Sequence, residues 1–213
     1  MNRRAFLLGL GSVLGIPQII GGDPVSPRHA PLRRGLVCTP FSGYGVQRCE
    51  AGIESDILDV TASDTQHADE WCWAACIEAV FTYYGHPVAQ ERIVEDAFGV
   101  ITNMPGSPYT ILSSLNRTWR DDDGDNFTVY ATTVGSSAVT AAQDLATDHP
   151  LIIGTLGHAM VLTSLTYDRN GYGQGQVVYA EVRDPWPYNP RHRVLSYQEW
   201  ASIMFAARIR VSD

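Results

Sequence analysis

The run from Gln66 to Trp73 contains a side-chain amide and, six residues later, the thiol of Cys72. Beyond Asp69, apolar side chains recur at helical spacing as far as Gly85, which predicts a helix that Asp69 caps and Gly85 ends. Cys72 then lies in the first turn, where unpaired N–H groups and the positive end of the helix dipole favour a thiolate. This is the arrangement of a cysteine nucleophile with Gln66 as an oxyanion donor.

The thiolate needs a histidine partner. Asp69 and Glu70 bring negative charge close to the sulfur, so the helix dipole alone does not make enough thiolate at neutral pH. His158 is the best-placed histidine, because it follows an apolar run at 151–156 and opens a second one at 158–167. Both runs are typical of β-strands, so His158 is predicted at the start of a strand.

A carboxylate is predicted beside this histidine. The next apolar run, 176–183, leads directly into Asp184 and Pro185, and the proline ends the strand. The glycine-rich segment 170–175 favours a turn that joins the two strands as an antiparallel pair. Such a pair brings Asp184, at the end of one strand, back beside His158 at the beginning of the other.

These residues resemble the papain-like cysteine peptidases. The closest resemblance is to a compact bacterial branch that includes staphopain-like enzymes, bacteriocin-processing peptidase domains and secreted effector proteases. It covers about 66–213, and its strongest element is the Gln/Cys-Trp spacing. The third residue is an Asp followed by Pro, as in the bacteriocin-processing branch, where papain itself has Asn. The resemblance implies peptide-bond hydrolysis through a thioester, with a role for each of four side chains: Cys72 as nucleophile, His158 as general base, Asp184 as the group that orients the imidazole, and Gln66 as an oxyanion donor.

Other functions fit the same triad. Hydrolysis of glutamine or another amide, and transglutaminase-like acyl transfer to an amine, use the same groups, and a catalytically inactive binding module would keep the fold. Each residue also has a purely structural interpretation: Cys72 as a small buried side chain, His158 as a core histidine and Asp184 as a turn residue.

Metal sites are less well supported. Cys72, Cys76 and His158 include no Cys-x-x-Cys pair and no second histidine pair, so zinc is disfavoured. The acidic run 121–126 lacks the register and the final Glu of an EF-hand loop, and we interpret it as a turn. No metal and no cofactor are expected.

Composition and charge limit the partners. The chain has 213 residues with 45% hydrophobic content, which is enough for one sizeable core. Its formal net charge of -8 disfavours nucleic acid and anionic membrane surfaces. We expect a monomer that acts on a protein or peptide substrate.

The first 65 residues predict export. Residues 1–22 begin with adjacent arginines and continue with an apolar run that Gly and Pro17 interrupt, which is too short for a membrane helix. This favours an export signal, of the twin-arginine type or an ordinary secretory one, and a periplasmic or secreted bacterial protein. Residues 23–65 form a leader segment, and its removal as a pro-region stays open. Cys38 and Cys49 flank a Gly/Pro-rich loop and are predicted to form a disulfide.

The remaining pattern predicts an α+β domain at 66–213, with helices first, an antiparallel sheet later and a cleft between the two parts. Helices are predicted at 90–98, 109–119, 138–147 and 197–205, and strands at 127–134, 151–156, 158–167, 176–183 and 207–211.

Overall fold

The computed structural model describes residues 35–54, 65–135 and 137–213, so the predicted export signal lies outside the described residues. The helices in this part of the chain are α1 (Cys72–Tyr83), α2 (Gln90–Phe98), α3 (Pro108–Leu115), α4 (Ala138–Ala146) and α5 (Tyr197–Ala201). The strands are β1 (Val37–Cys38), β2 (Val46–Gly52), β3 (Thr118–Arg120), β4 (Asn126–Thr133), β5 (Leu151–Thr155), β6 (His158–Asn170), β7 (Gly175–Arg183), β8 (His192–Val194) and β9 (Ile203–Ser212).

The strands form one sheet in the order β1-β2-β6-β5-β9-β4-β3, and every pairing in it is antiparallel. The long strand β6 pairs with β5 and β2 along one edge and with β7 along the other, and β8 extends the sheet beyond β7. Helices α1 and α4 pack against β6. The predicted α+β class, with a helical part packed on an antiparallel sheet, is confirmed.

Helix α1 is buried on almost every side, which fits its nearly continuous apolar sequence. It begins at Cys72 with Trp71 as N-cap, so the prediction of Asp69 as the cap is wrong. An N-cap residue supplies the carbonyl that accepts the first intrahelical bond. The carbonyl of Asp69 instead accepts a hydrogen bond from the Gln66 side chain, and Trp71 accepts the first bond of the helix, from Ala75.

A two-residue turn places His158 at the start of β6. Thr155 pairs directly with His158, and the residues between them, Leu156 and Gly157, have φ values of 51° and 82°. Positive φ at both positions is typical of a type I′ hairpin, whose twist matches that of the flanking strands. Leu156 lacks the freedom of glycine at such an angle, so the turn stores some backbone strain beside the predicted histidine.

Two predicted helices are too long. The one at 109–119 ends at Leu115, and its last residues form β3, where Trp119 pairs with Phe127 and donates from its indole to the Ser114 carbonyl. The one at 197–205 ends at Ala201, and Phe205 lies in β9 opposite Gly154. In both segments burial of an aromatic side chain against the sheet outweighs local helix preference.

The part of the leader segment that is described belongs to the sheet. β2 pairs with β6 over its whole length, and Cys49, Ala51 and Ile53 are buried in the core. Cys38 lies opposite Cys49 in the β1–β2 pair, and the two form the predicted disulfide. Removal of residues 23–65 as a pro-region stays a prediction. Cleavage near residue 65 would remove strand β2, which contributes buried side chains to the core.

The disulfide is expected to stabilise the folded protein. It closes a loop with a sequence separation of 11, and cross-linking such a loop is worth about 2–3 kcal/mol in the chain-entropy treatment. Cys38→Ser combined with Cys49→Ala should lower the urea midpoint accordingly, and adding reductant should leave the midpoint of this double variant unchanged. Peptide mass spectrometry of the protein purified without reductant that finds both thiols free would contradict the assignment.

No helix in the described ranges is both long enough and apolar enough to span a bilayer.

Candidate active site

The N-terminus of α1 meets the beginning of β6, and this contact brings Cys72 and His158 together. The backbone N–H of Ala159 donates to Cys72 Sγ at 3.4 Å, and Cys72 interacts with the His158 imidazole closely enough to raise its pKa. Cys72 is partly exposed, whereas Cys76, one turn further along α1, is buried. Burial is the main reason why the pKa of the Cys76 thiol is raised well above its usual value. The exposed end of the helix therefore carries the accessible free thiol of the described chain.

His158 lies between the thiol and a carboxylate. Its Nε2 is 2.7 Å from Asp184 Oδ1, which leaves Nδ1 for Cys72. Burial alone would lower the pKa of His158, but the hydrogen bonds and negative charges of Asp184 and Cys72 outweigh it and raise the pKa to about 9. The imidazole is therefore protonated at neutral pH.

Asp184 is fully buried, and both oxygens of its carboxylate are hydrogen-bonded. Oδ1 accepts hydrogen bonds from His158 and from the backbone N–H of Trp186, and Oδ2 accepts from Asn189 and Arg193. Burial by itself would raise the pKa of Asp184, but these donors hold it well below its ordinary value. Asp184 is thus an ionised carboxylate, and the predicted pairing of β6 with β7 places it beside His158.

Gln66 lies near the other three predicted residues, but its donors do not face the thiol. Its backbone N–H donates to the Pro185 carbonyl, which ties the segment before α1 to the turn after β7. Its side-chain Nε2 donates to the carbonyls of Ala68 and Asp69 at 3.0 and 2.7 Å. Oε1 is buried and has no hydrogen-bond partner among the described residues. The role of Gln66 as an oxyanion donor stays a prediction, and it requires one N–H to turn towards a substrate.

Two cavities flank the thiol and the imidazole. One, of about 240 Å³, lies between α1, α3 and the sheet, and is largely apolar; Pro105, Ile111 and Phe205 are among the residues that line it. The other, of about 410 Å³, is more polar and is lined by residues that include Asp69 and Asn189. Cys72 and His158 line both cavities, so the predicted cleft runs past the reactive groups on both sides.

The loop between α2 and α3 forms one wall of this cleft. The indole N–H of Trp71 donates to the Thr102 carbonyl, and that of Trp73 donates to the Met104 carbonyl. Gly106 lies on the face of the Trp73 ring, where a Cβ atom would come within 2.4 Å of the indole. The two tryptophans that flank Cys72 therefore fix the wall, and glycine at position 106 permits the close approach.

Sequence reasoning gave no role to three residues that surround Asp184 and His158. Asn189 and Arg193 donate hydrogen bonds to Asp184 Oδ2, and the Trp186 ring packs edge-on against His158. The segment from Trp186 to Asn189 is a loop, and Arg193 lies on the short strand β8, which was not predicted. The signal that could have found Arg193 is a cation that follows a strand-end acid after a proline-rich turn of suitable length.

Other polar clusters have structural roles. Among the described residues, no group of three or more His, Cys, Asp or Glu side chains is arranged to hold a metal ion. Residues 121–125 of the acidic run form a turn between β3 and β4, and the Asp121 side chain accepts one hydrogen bond from the Asp125 backbone N–H and contacts His86. His86 also contacts Asp213 and stacks on Phe127, so this cluster holds the C-terminal residue against the sheet.

No family model matches the sequence. No curated protein matches it either. Among solved structures, the chain is similar to a double-glycine-motif protease from an AMS/PCAT transporter in complex with the leader peptide, with a TM-score of 0.45 and 15% identity over 69% of this chain and 87% of that one. It is also similar to UfSP from C. elegans, with a TM-score of 0.42 and 14% identity over 88% of this chain and 39% of that one.

Proposed function

We propose that the protein is a cysteine peptidase of the papain-like type, which hydrolyses peptide bonds with Cys72, His158 and Asp184. The observation that carries the proposal is the continuous chain of contacts from an accessible thiol at a helix N-terminus, through an imidazole, to a buried ionised carboxylate. Such a chain is the signature of an activated nucleophile whose base is oriented by a third group.

The first half of the reaction forms a thioester. The thiolate of Cys72 attacks the carbonyl carbon of the scissile bond, and the carbonyl oxygen becomes an oxyanion. N–H groups of the first helical turn have no intrahelical acceptor and are available to this oxygen, with Gln66 as a further donor. His158 then gives its Nδ1 proton to the leaving nitrogen, the C–N bond breaks, and the amine departs.

The second half regenerates the thiolate. Neutral His158 takes a proton from a water molecule, and the resulting hydroxide attacks the thioester carbon. Collapse of the second oxyanion breaks the C–S bond and releases the carboxylic acid, while the imidazole returns to its protonated state beside the thiolate. Asp184 stabilises the imidazolium and keeps Nδ1, rather than Nε2, directed at the sulfur throughout.

We also propose that the protein acts outside the cytoplasm, as a monomer, on protein or peptide substrates. A disulfide between Cys38 and Cys49 supports this compartment, since such bonds persist in oxidising environments. An open cleft that passes both sides of the thiol suits an extended peptide chain. Release of labelled ammonia from free glutamine, without cleavage of peptides, would instead indicate the amide-hydrolase alternative.

The ion pair can be tested without a known substrate, because a thiolate paired with imidazolium reacts with iodoacetamide at mildly acidic pH and an ordinary thiol does not. We expect iodoacetamide to alkylate Cys72 rapidly at mildly acidic pH. We also expect peptide hydrolysis to be lost as the pH rises through about 9, where His158 loses the proton that the leaving group needs. Cys72→Ala supplies the background, since its remaining free thiol, Cys76, is buried. Alkylation that begins only in the alkaline range would contradict the proposal.

A further inference from the structure

A largely buried arginine contacts the carboxylate that orients His158. Arg193 lies on β8, and its side chain is 19% exposed. Its Nε donates to Asp184 Oδ2 at 2.6 Å, and its Nη2 donates to Glu199 Oε1 at 2.8 Å. Arg193 thus places a full positive charge on the oxygen of Asp184 that faces away from the imidazole.

The two oxygens of Asp184 have separate tasks. Oδ1 bonds His158, and Oδ2 bonds Asn189 and Arg193. Asn189 lies in an exposed loop, whereas Arg193 is anchored in the sheet. A carboxylate has one free rotation about its last carbon–carbon bond, and a guanidinium fixed on one oxygen determines where the other oxygen points.

Arg193 is itself held by two further elements. Glu199 belongs to the capping box of α5, where it also accepts a hydrogen bond from the Ser196 backbone. The second anchor is Met160 on β6, whose sulfur is 3.1 Å from Arg193 Nη2 and whose side chain is fully buried. The guanidinium therefore joins α5, β6 and the turn after β7, and it has little freedom to follow a moving carboxylate.

We infer that Arg193 is a positioning residue for the proposed hydrolysis, which fixes the Asp184 carboxylate so that Oδ1 stays directed at His158. The inference rests on the proposed function. A purely structural ion pair would stabilise the fold without affecting the imidazole, whereas a positioning residue acts on catalysis only through Asp184.

A double-mutant cycle on the full chain separates these roles. Arg193→Met should lower kcat by about 10- to 100-fold, the range for a small misplacement of a catalytic group, with KM little changed. Arg193→Lys keeps the charge and should recover part of the loss. In an Asp184→Asn background, Arg193→Met should cause no further loss. Arg48→Met is the matched control, since it removes the exposed ion pair with Asp168 and should leave kcat unchanged.

Iodoacetamide alkylation distinguishes failure of the inference from failure of the proposed function. If the unmodified protein is not alkylated at mildly acidic pH, the proposed function is wrong. If the unmodified protein is alkylated at that pH and the alkylation rate of Arg193→Met has the same pH profile, Arg193 is not a positioning residue. The same conclusion follows if the kcat losses of the single variants at residues 193 and 184 multiply in the double variant. Should Arg193→Met fail to unfold cooperatively, Arg193→Lys takes its place in the cycle, where the same dependence on Asp184 is expected.

Discussion

Cys72→Ala is expected to abolish peptide hydrolysis, with a fall in kcat on the order of 10⁶-fold, the scale on which removal of a catalytic nucleophile is measured in a hydrolase. The variant loses the sulfur that forms the thioester in the proposed mechanism. It should keep its fold, because alanine is the best helix former and Cys72 lies at the partly exposed first position of α1. Release of a labelled peptide and thermal unfolding, measured on the same sample, check both statements.

The matched control for this variant is Cys76→Ala. Cys76 lies on the same helix, but it is buried in the core and lines neither cavity of the cleft. Its replacement should cost some stability, since a buried sulfur is removed, and leave the rate of hydrolysis per folded molecule unchanged. Full activity of Cys72→Ala would refute the assignment of the nucleophile, whatever the control shows.

The sequence predicts which elements meet at the candidate site, because their placement depends on local patterns. A long apolar run with glycine at its end specifies α1, and strands of alternating or continuous apolar residues specify β5, β6 and β7. Once β6 and β7 pair as a hairpin, His158 and Asp184 have to meet, because one residue begins its strand and the other follows the end of its partner. The α+β arrangement and the Cys38–Cys49 disulfide follow from patterns of the same kind.

The surroundings of the site could not be predicted because they depend on contacts between distant segments. The start of α1 is set by the Gln66 amide, which binds the carbonyl that Asp69 would need as a cap. Strand β8 is three residues long and follows a proline-rich loop, so no periodicity reveals it. Arg193 contacts Asp184 only because β8 pairs with β7, and this pairing is invisible in a single sequence.

The site joins two parts of the fold that pack against each other and share one hydrophobic core. The thiol belongs to a helix that is buried almost all round, and the imidazole and carboxylate belong to one β-hairpin. The bond from the Gln66 backbone to the Pro185 carbonyl connects the two parts next to the reacting groups. Cys72 and His158 lie at this junction and are only partly buried, so their substitution removes little core packing and reports mainly on chemistry.

His158→Ala is expected to reduce hydrolysis on the same scale as the loss of the nucleophile, on the order of 10⁶-fold, because members of a catalytic triad act as a unit. The fold should persist, since Asp184 keeps its bonds from Trp186, Asn189 and Arg193 when the imidazole is removed. Without imidazolium beside it, Cys72 should lose its reactivity with iodoacetamide at mildly acidic pH and react only in alkaline solution, as an ordinary thiol does. Alkylation rates across pH, with peptide hydrolysis alongside, measure both effects.

The pH profile of alkylation makes His158→Ala the most specific test of the pairing between Cys72 and His158. A histidine that merely packs in the core would change stability on removal but leave the alkylation profile of Cys72 where it was. The matched control is His149→Ala. His149 contacts Thr147 after α4 and lines neither cavity of the cleft, so its replacement should leave both the alkylation profile and the rate of hydrolysis unchanged. Added imidazole should restore part of the activity of His158→Ala, because the space left beside Asp184 suits the free base. An acidic alkylation profile that survives in His158→Ala would show that another group activates the thiol, and the proposed pair would have to be abandoned.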